Sequence, residues 1–177
     1  MFSTIHNSVY IKHVALLLAL SVLSMSFKMN GNEEVILNAG TSIPLETVSM
    51  IQSDLVSVGQ TIDFRVKYDV KVDGKTVVAA GSIAKGQVMR AQKAKGVGKE
   101  GFVEIQIKSV TALDGQEVYL TGGNVYQEGE DKQTLSILLG IFVCILFLTI
   151  KGENAQVPPG YQVTSSVATT TTIQISE

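Results

Sequence analysis

The feature that most constrains the fold is a segment of alternating residues in the first half of the chain. From Thr61 to Val72, apolar and charged residues alternate almost without a break. The apolar members are Ile62, Phe64, Val66, Tyr68, Val70 and Val72. Because strand side chains point to opposite faces with period two, this segment has one face for a core and one for water. Asp73-Gly74 follows, a dipeptide typical of a two-residue turn with positive φ at both positions. The stretch from Gly59 to Gly86 therefore predicts a β-hairpin.

Other turn residues extend this pattern along the chain. Asp114-Gly115 predicts a second hairpin, since it separates the strand-like segments Phe102 to Val110 and Glu117 to Thr121. An apolar residue three positions before a glycine and another three after it recurs at Gly40, Gly81 and Gly160. We interpret each copy as a strand that bends at the glycine and continues, giving three equivalent corners. The predicted fold class is all-β, a small antiparallel barrel or sandwich built from Asp-Gly hairpins, with one short apolar insertion.

The distribution of apolar residues divides the chain into four parts. Residues 1–26 read as a signal peptide, with an apolar region from Val14 to Leu23 and small residues at Ser24 and Ser26 for cleavage. An uncleaved signal anchor is the alternative. The main β-module follows over 27–134, then an apolar segment over 135–150, then C-terminal strands over 151–177 that complete the module. This order predicts an exported protein, periplasmic or on the cell surface.

The apolar segment from Leu135 to Ile150 allows two interpretations. A continuous helix of its length would be about 24 Å long against about 30 Å of hydrocarbon, and its hydrophobicity favours a transmembrane helix. The third glycine pattern, Val157 to Val163, lies beyond the segment. If this pattern pairs in the same β-module as Leu37 to Ile43, both ends of the apolar segment must lie on the same side of the membrane. A single crossing of the membrane is then impossible. The segment is then a buried strand pair, or a loop that dips into a bilayer or an oligomer interface. We expect it to be too short for a helical pair.

Motifs for catalysis or nucleotide binding are weak. Gly96 to Gly101 matches G-x-G-x-x-G, but a strand-like segment follows where a nucleotide site needs a helix, which indicates a hairpin loop. Both histidines, His6 and His13, lie in the predicted signal peptide. Cys144 is the one cysteine, so no intrachain disulfide forms. We therefore predict no enzyme activity, no cofactor and no metal.

Two charge clusters carry little specific information. Lys93, Lys95 and Lys99 lie among glycines without interleaved aromatics, which is typical of a solvated loop. The acidic cluster lacks the spacing of a calcium loop; it consists of Glu128, Glu130 and Asp131. The net charge of −2 gives no reason to expect nucleic acid as a partner.

The turn residues together resemble those of a known family. They are Ala39-Gly40-Thr41, Gly59, Asp69-Val70, Asp73-Gly74, Ala80-Gly81-Ser82, Gly86 and Leu113-Asp114-Gly115 to Leu120. From Leu37 to Gly122 the chain resembles the β-barrel domain of TrbI-type type IV secretion and conjugal-transfer core proteins, and small exported β-modules of Gram-negative bacteria. The resemblance implies an envelope barrel that assembles with copies of itself, with an inserted apolar element at the outer membrane.

These observations predict a non-enzymatic envelope β-module. It is expected to associate with a membrane and to act through envelope assembly, either with other envelope proteins or with copies of itself. The alternative is a soluble periplasmic ligand-binding module whose apolar segment is buried in its core.

Overall fold

The structure is a computed structural model that describes residues 12–18, 32–143 and 145–176. It divides into two units, one of Met1–Glu33 and Ser176–Glu177 and one of Glu34–Ile175. In the first unit, residues 12–18 form a helix, α1, whose side chains are all exposed. The rest of the predicted signal peptide, including its cleavage site, lies outside the described residues, so export and cleavage stay predictions.

The second unit consists mainly of short strands, which confirms the all-β prediction. The strands are β1 (Asn32–Leu37), β2 (Ser42–Thr47), β3 (Ile51–Gln52), β4 (Thr61–Val66), β5 (Val70–Val72), β6 (Lys75–Val78), β7 (Ile83–Gln92), β8 (Phe102–Thr111), β9 (Glu117–Thr121), β10 (Asn124–Glu128), β11 (Gln156–Val157), β12 (Gln162–Val167) and β13 (Thr171–Ser176). Two helical pieces lie between β10 and β11: the α-helix α2 (Gln133–Phe142) and a 3-10 helix (Ile145–Thr149).

Six strands close into an antiparallel barrel in the order β8, β7, β4, β2, β12, β9 and back to β8. Closure is possible because β8 is long enough to pair with two strands along one edge. Its first half, Phe102 to Gln106, pairs with β10, and its last residues, Ser109 to Thr111, pair with β9. The C-terminal strand β12 lies between β2 and β9, so residues beyond the apolar segment form part of the barrel wall.

The barrel interior is filled by the apolar face of each strand. In β8, buried residues alternate with half-buried ones from Val103 to Ile107. Phe64 on β4 is fully buried, and it lies over Gly86 on the neighbouring β7, where an added Cβ would come within 2.7 Å of its ring. Gly86 therefore provides the space that the largest core side chain occupies.

The alternating segment from Thr61 to Val72 is not one strand of a single hairpin. The first strand of the segment, β4, ends at Val66 and pairs with β2 and β7. Only β5 and β6 form the predicted hairpin around Asp73-Gly74. The interruption follows from two contacts, since Val66 is hydrogen bonded to the turn at Gly81 and the Asp69 carboxylate accepts the N–H of Ala80. The prediction that Tyr68 faces the core is wrong, since it is 59% exposed.

Four glycine turns hold the barrel ends through one repeated backbone arrangement. In the first pair, Gly40 N–H donates to Val167 at 2.8 Å, and Gly160 N–H donates to Thr47 at 2.8 Å. Each acceptor residue returns a bond: Val167 N–H donates to Thr41 and Thr47 N–H donates to Tyr161. The turn before β2 thus holds the end of β12, and the turn before β12 holds the end of β2.

The second pair repeats this exchange between β4 and β7. Gly81 N–H donates to Val66, and Gly59 N–H donates to Val88, both at 2.8 Å. The Gly59 turn was not predicted as a member of this set, although Val56 and Ile62 flank it at the same spacing. The described barrel therefore contains two reciprocal strand pairs, each with the same four backbone bonds.

Candidate functional site

The apolar segment forms a helical pair that projects from the barrel. Helix α2 ends at Phe142, and the 3-10 helix packs against it where Gly140 meets Leu148. We call α2 and the 3-10 helix together the apolar hairpin. The expectation that the segment is too short for a helical pair is wrong, because the second helix is a short 3-10 helix with a larger rise per residue. Among the described residues, no helix has the length and apolar content needed to cross a membrane.

The apolar hairpin is exposed rather than buried. Ile141 is 74% exposed, Phe142 78%, Ile145 73% and Leu146 70%. Of its described side chains, only Ser136 is buried. The prediction that this segment lies in the core as a buried strand pair is therefore wrong. The hydrophobic core of the barrel includes none of the described residues of this segment.

Both ends of the apolar hairpin are held by the glycine-rich loop between β7 and β8. Gly98 N–H donates to Ile150 at 2.7 Å, and Gly98 accepts the N–H of Lys132 at 2.9 Å. Val97 N–H donates to Leu148 at 2.9 Å. One glycine thus contacts the residue before α2 and the residue after the 3-10 helix. We call residues 93–101, 129–132 and 150–154 the seat of the hairpin.

Glycines in the seat allow backbone to lie directly against backbone. Added Cβ atoms at Gly98, Gly129 and Gly152 would all come closer than 3.0 Å to backbone atoms of another seat segment. Gly101 N–H donates to Glu153, and its carbonyl accepts from Gly129, each at 2.8 Å. The G-x-G-x-x-G match is therefore a packing motif under the hairpin, followed by strand β8 as expected.

The acidic cluster near the seat does not converge on one point. The Glu128 carboxylate accepts from the Tyr126 hydroxyl, and this hydrogen bond raises the Tyr126 pKa. Asp131 accepts the N–H of Gln133 at 2.7 Å, at the start of α2. No group of three or more metal-ligating side chains is placed to hold an ion in the part of the chain that the structure describes.

Lys132 contacts two carboxylates on the acidic side of the seat. Its Nζ lies 2.5 Å from Glu153 and 3.7 Å from Glu130. The hydrogen bond to Glu153 is the main cause that raises the pKa of Lys132. The exposed lysines Lys93, Lys95 and Lys99 lie on the loop that binds the 3-10 helix. We call this loop together with Lys151 the basic arm of the seat, and residues 129–132 together with Glu153 its acidic arm.

The predicted turn residues occupy turns of two kinds. Gly40, Gly81 and Gly160 have positive φ angles of 84°, 86° and 77° at barrel corners. Asp73 and Gly74 both have positive φ, as a two-residue hairpin requires.

Asp114 and Gly115 form a turn that also contacts a distant strand. The Asp114 carboxylate accepts the N–H of Gln116 within the turn and the N–H of Gln174 on β13 at 3.0 Å. Gly115 has a φ of 84°. This hairpin therefore attaches the C-terminal strand to the barrel, a role that its sequence did not indicate.

A groove of about 450 Å³ lies on the barrel wall across β7, β8 and β9. Its polar side chains already contact one another: Ser109 donates to Glu117 at 2.6 Å, and Lys85 lies 3.9 Å from the same carboxylate. The groove is lined by Thr61, Lys85, Gly86, Gln87, Lys108, Ser109, Glu117, Tyr119 and Leu120.

Comparison with known proteins finds similarity among solved structures. No family model and no curated protein matches the chain. Among solved structures, the chain is similar to ComB10 of the Com type IV secretion system of Helicobacter pylori. The two are 14% identical with a TM-score of 0.41, over 76% of this chain and 88% of that chain. At this similarity the likeness carries no conclusion about activity or partners.

Proposed function

We propose that this protein is a non-enzymatic cell-envelope module whose barrel holds the apolar hairpin against a membrane, and that it acts through envelope assembly with other proteins. The observation that carries this proposal is the hairpin itself. It combines a nearly all-apolar exposed surface with a hydrogen-bonded attachment at both ends.

The exposed apolar area favours transfer out of water. Fully burying one large apolar side chain is worth about 1.5–3 kcal/mol. Ile141, Phe142, Val143, Ile145 and Leu146 are each at least 64% exposed and follow one another around the hairpin tip. Soluble monomers rarely expose a contiguous apolar patch of this kind, and such patches mark protein or membrane contacts.

The backbone of the hairpin suits a lipid environment. Backbone polar groups in the interior of helix α2 are hydrogen bonded within the helix, and an unsatisfied group in hydrocarbon costs several kcal/mol. Its ten residues span about 15 Å, roughly half of the hydrocarbon thickness. The hairpin therefore suits insertion into one leaflet, which is consistent with both of its ends returning to Gly98.

The barrel supplies a rigid base for this contact. Because β12 follows the hairpin and pairs with β2 and β9, the chain on both sides of the hairpin belongs to the same closed wall. The predicted signal peptide supports an envelope location. With the hairpin at the membrane, the barrel wall is the surface available for contacts with other envelope proteins.

Vesicle flotation tests the membrane contact. The variant Ile141→Ser/Phe142→Ser/Leu146→Ser removes three exposed tip residues, and Leu55→Ser/Val58→Ser/Leu113→Ser is a matched control on exposed barrel loops. We expect the wild type and the control to float with lipid vesicles and the tip variant to stay in the dense fractions. Unchanged circular dichroism of all three proteins shows that the fold is kept.

Two results would contradict the proposal. One is a wild-type protein that stays in the dense fractions with every lipid composition. The other is a tip variant that floats as well as the wild type does.

A further inference from the structure

We propose that the seat of the hairpin recognises a bilayer with anionic phosphate head groups, through Lys93, Lys95, Lys99 and Lys151. In this arrangement the apolar tip enters the acyl region while the four ammonium groups meet the phosphates at the surface. The inference rests on the proposed function and adds to it the class of lipid.

The lysines are held where the apolar surface ends. Lys95 N–H donates to Lys99 at 2.9 Å, and Lys95 accepts the N–H of Gly152 at 3.2 Å. Lys151 lies between Ile150, which accepts from Gly98, and Gly152. The basic loop is therefore attached by backbone bonds to the base of the apolar hairpin, and its lysines cannot move away independently of it.

These four side chains are available for an external anion. All four lysines are exposed, and none has an ion pair or a side-chain hydrogen bond with the residues that the structure describes. Lys132, at the other arm of the seat, is occupied by Glu130 and Glu153. The seat thus has a basic arm whose lysines are free and an acidic arm whose one lysine is paired with carboxylates.

The acidic arm of the seat has three carboxylates and one lysine, and each of these carboxylates already has a partner. Glu130 and Glu153 contact Lys132, and Asp131 accepts a backbone N–H. Glu128 accepts from Tyr126. Glu100 is half-buried on the basic arm, with one carboxylate oxygen buried and without a hydrogen-bond partner. Four lysines against one carboxylate leave the basic arm positively charged.

The size of the effect follows from membrane electrostatics. Each lysine near an anionic surface gains on the order of 1 kcal/mol, about a fivefold change in affinity. Lysine stems also let the ammonium group reach the head-group region from an apolar base. Because exposed charges are screened by salt, this part of the affinity decreases as ionic strength rises.

The experiment measures binding of the full protein to two kinds of vesicle. One contains phosphatidylcholine alone, and the other contains phosphatidylcholine and phosphatidylglycerol in equal parts. The variant Lys93→Gln/Lys95→Gln/Lys99→Gln removes three of the charges. The matched control Lys67→Gln/Lys71→Gln/Lys85→Gln makes the same change in net charge on the barrel, away from the seat.

We expect the wild type and the control to bind the mixed vesicles at least about tenfold more tightly than the neutral ones. The seat variant should lose this difference and keep its binding to neutral vesicles. Added sodium chloride should reduce the difference for the wild type and leave neutral binding unchanged.

Three outcomes would overturn the inference: a seat variant that keeps the preference, a control that loses it equally, or inorganic phosphate that removes it at matched ionic strength. The last result would assign the lysines to free phosphate. Failure of the proposed function is distinguishable, because the wild type would then bind neither vesicle.

Discussion

The barrel corners and the seat of the hairpin both depend on glycine, but for different physical reasons. At Gly40 and Gly160 the backbone has positive φ, and an added Cβ would meet nothing within 4 Å. At Gly129 the constraint is space, because an added Cβ would come closer than 3.0 Å to the Glu153 carbonyl. A corner is a local conformation, whereas the seat is a contact between distant segments.

The same two regions differ in what they do with apolar side chains. In the barrel, Phe64 is fully buried against Gly86. In the apolar hairpin, Phe142 is 78% exposed. The barrel uses apolar residues for its own stability, while the hairpin keeps them available for another surface.

The largest expected effect is the difference in stability between variants of these two phenylalanines. Phe64→Ala should lower the free energy of unfolding by about 3–5 kcal/mol, because it leaves a cavity in the barrel interior. Phe142→Ala should change it by less than about 0.5 kcal/mol, because little of its ring is buried. Urea unfolding of the two variants measures both values. Similar losses in the two variants would contradict the division between core and hairpin.

An intermediate effect is expected in the seat. Gly129→Ala should cost about 1–3 kcal/mol, because its methyl group forces two backbones apart. Limited proteolysis should then cut within residues 129–153 faster than in the wild type. Gly96→Ala is the matched control, since its Cβ would lie 3.8 Å from the nearest atom, Leu148 O. If both variants resist proteolysis equally, the seat does not depend on close backbone packing.

The smallest effect tests the equivalence of two corners. Gly40→Ala and Gly160→Ala should each cost about 1–2 kcal/mol, because alanine is strained at positive φ even where space is open. The two losses should agree within about 0.5 kcal/mol, since both glycines donate the same 2.8 Å bond to the end of the partner strand. Thermal unfolding of the single variants checks this, and clearly unequal losses would show that the two turns are not equivalent.

Much of the barrel could be predicted because its signals are local. The alternation in β4 and β8, and the turns at Asp73-Gly74 and Asp114-Gly115, depend on residues that are neighbours in the chain. The break after Val66 could not be predicted in this way. It depends on hydrogen bonds between Val66 and the turn, in which Gly81 N–H donates to Val66 and Val66 N–H donates to Ser82. The alternation of residues continues through the break without a change.

The candidate site shows the same limit more strongly. The apolar composition of Leu135 to Ile150 was evident, but composition is equally compatible with a transmembrane helix, a buried strand pair or an exposed helical pair. The role of Gly98 was also hidden, because its partners Lys132 and Ile150 lie far along the chain.

The sequence by itself determined the strand class, the main turns and the presence of one uninterrupted apolar segment, since each depends on side-chain periodicity or on backbone preferences of adjacent residues. Only the tertiary structure decided which strands pair, that β12 closes the barrel, and that the apolar segment projects as a helical pair on a glycine-rich seat. These outcomes depend on backbone contacts between distant segments, for which a linear pattern of residue types contains no direct signal.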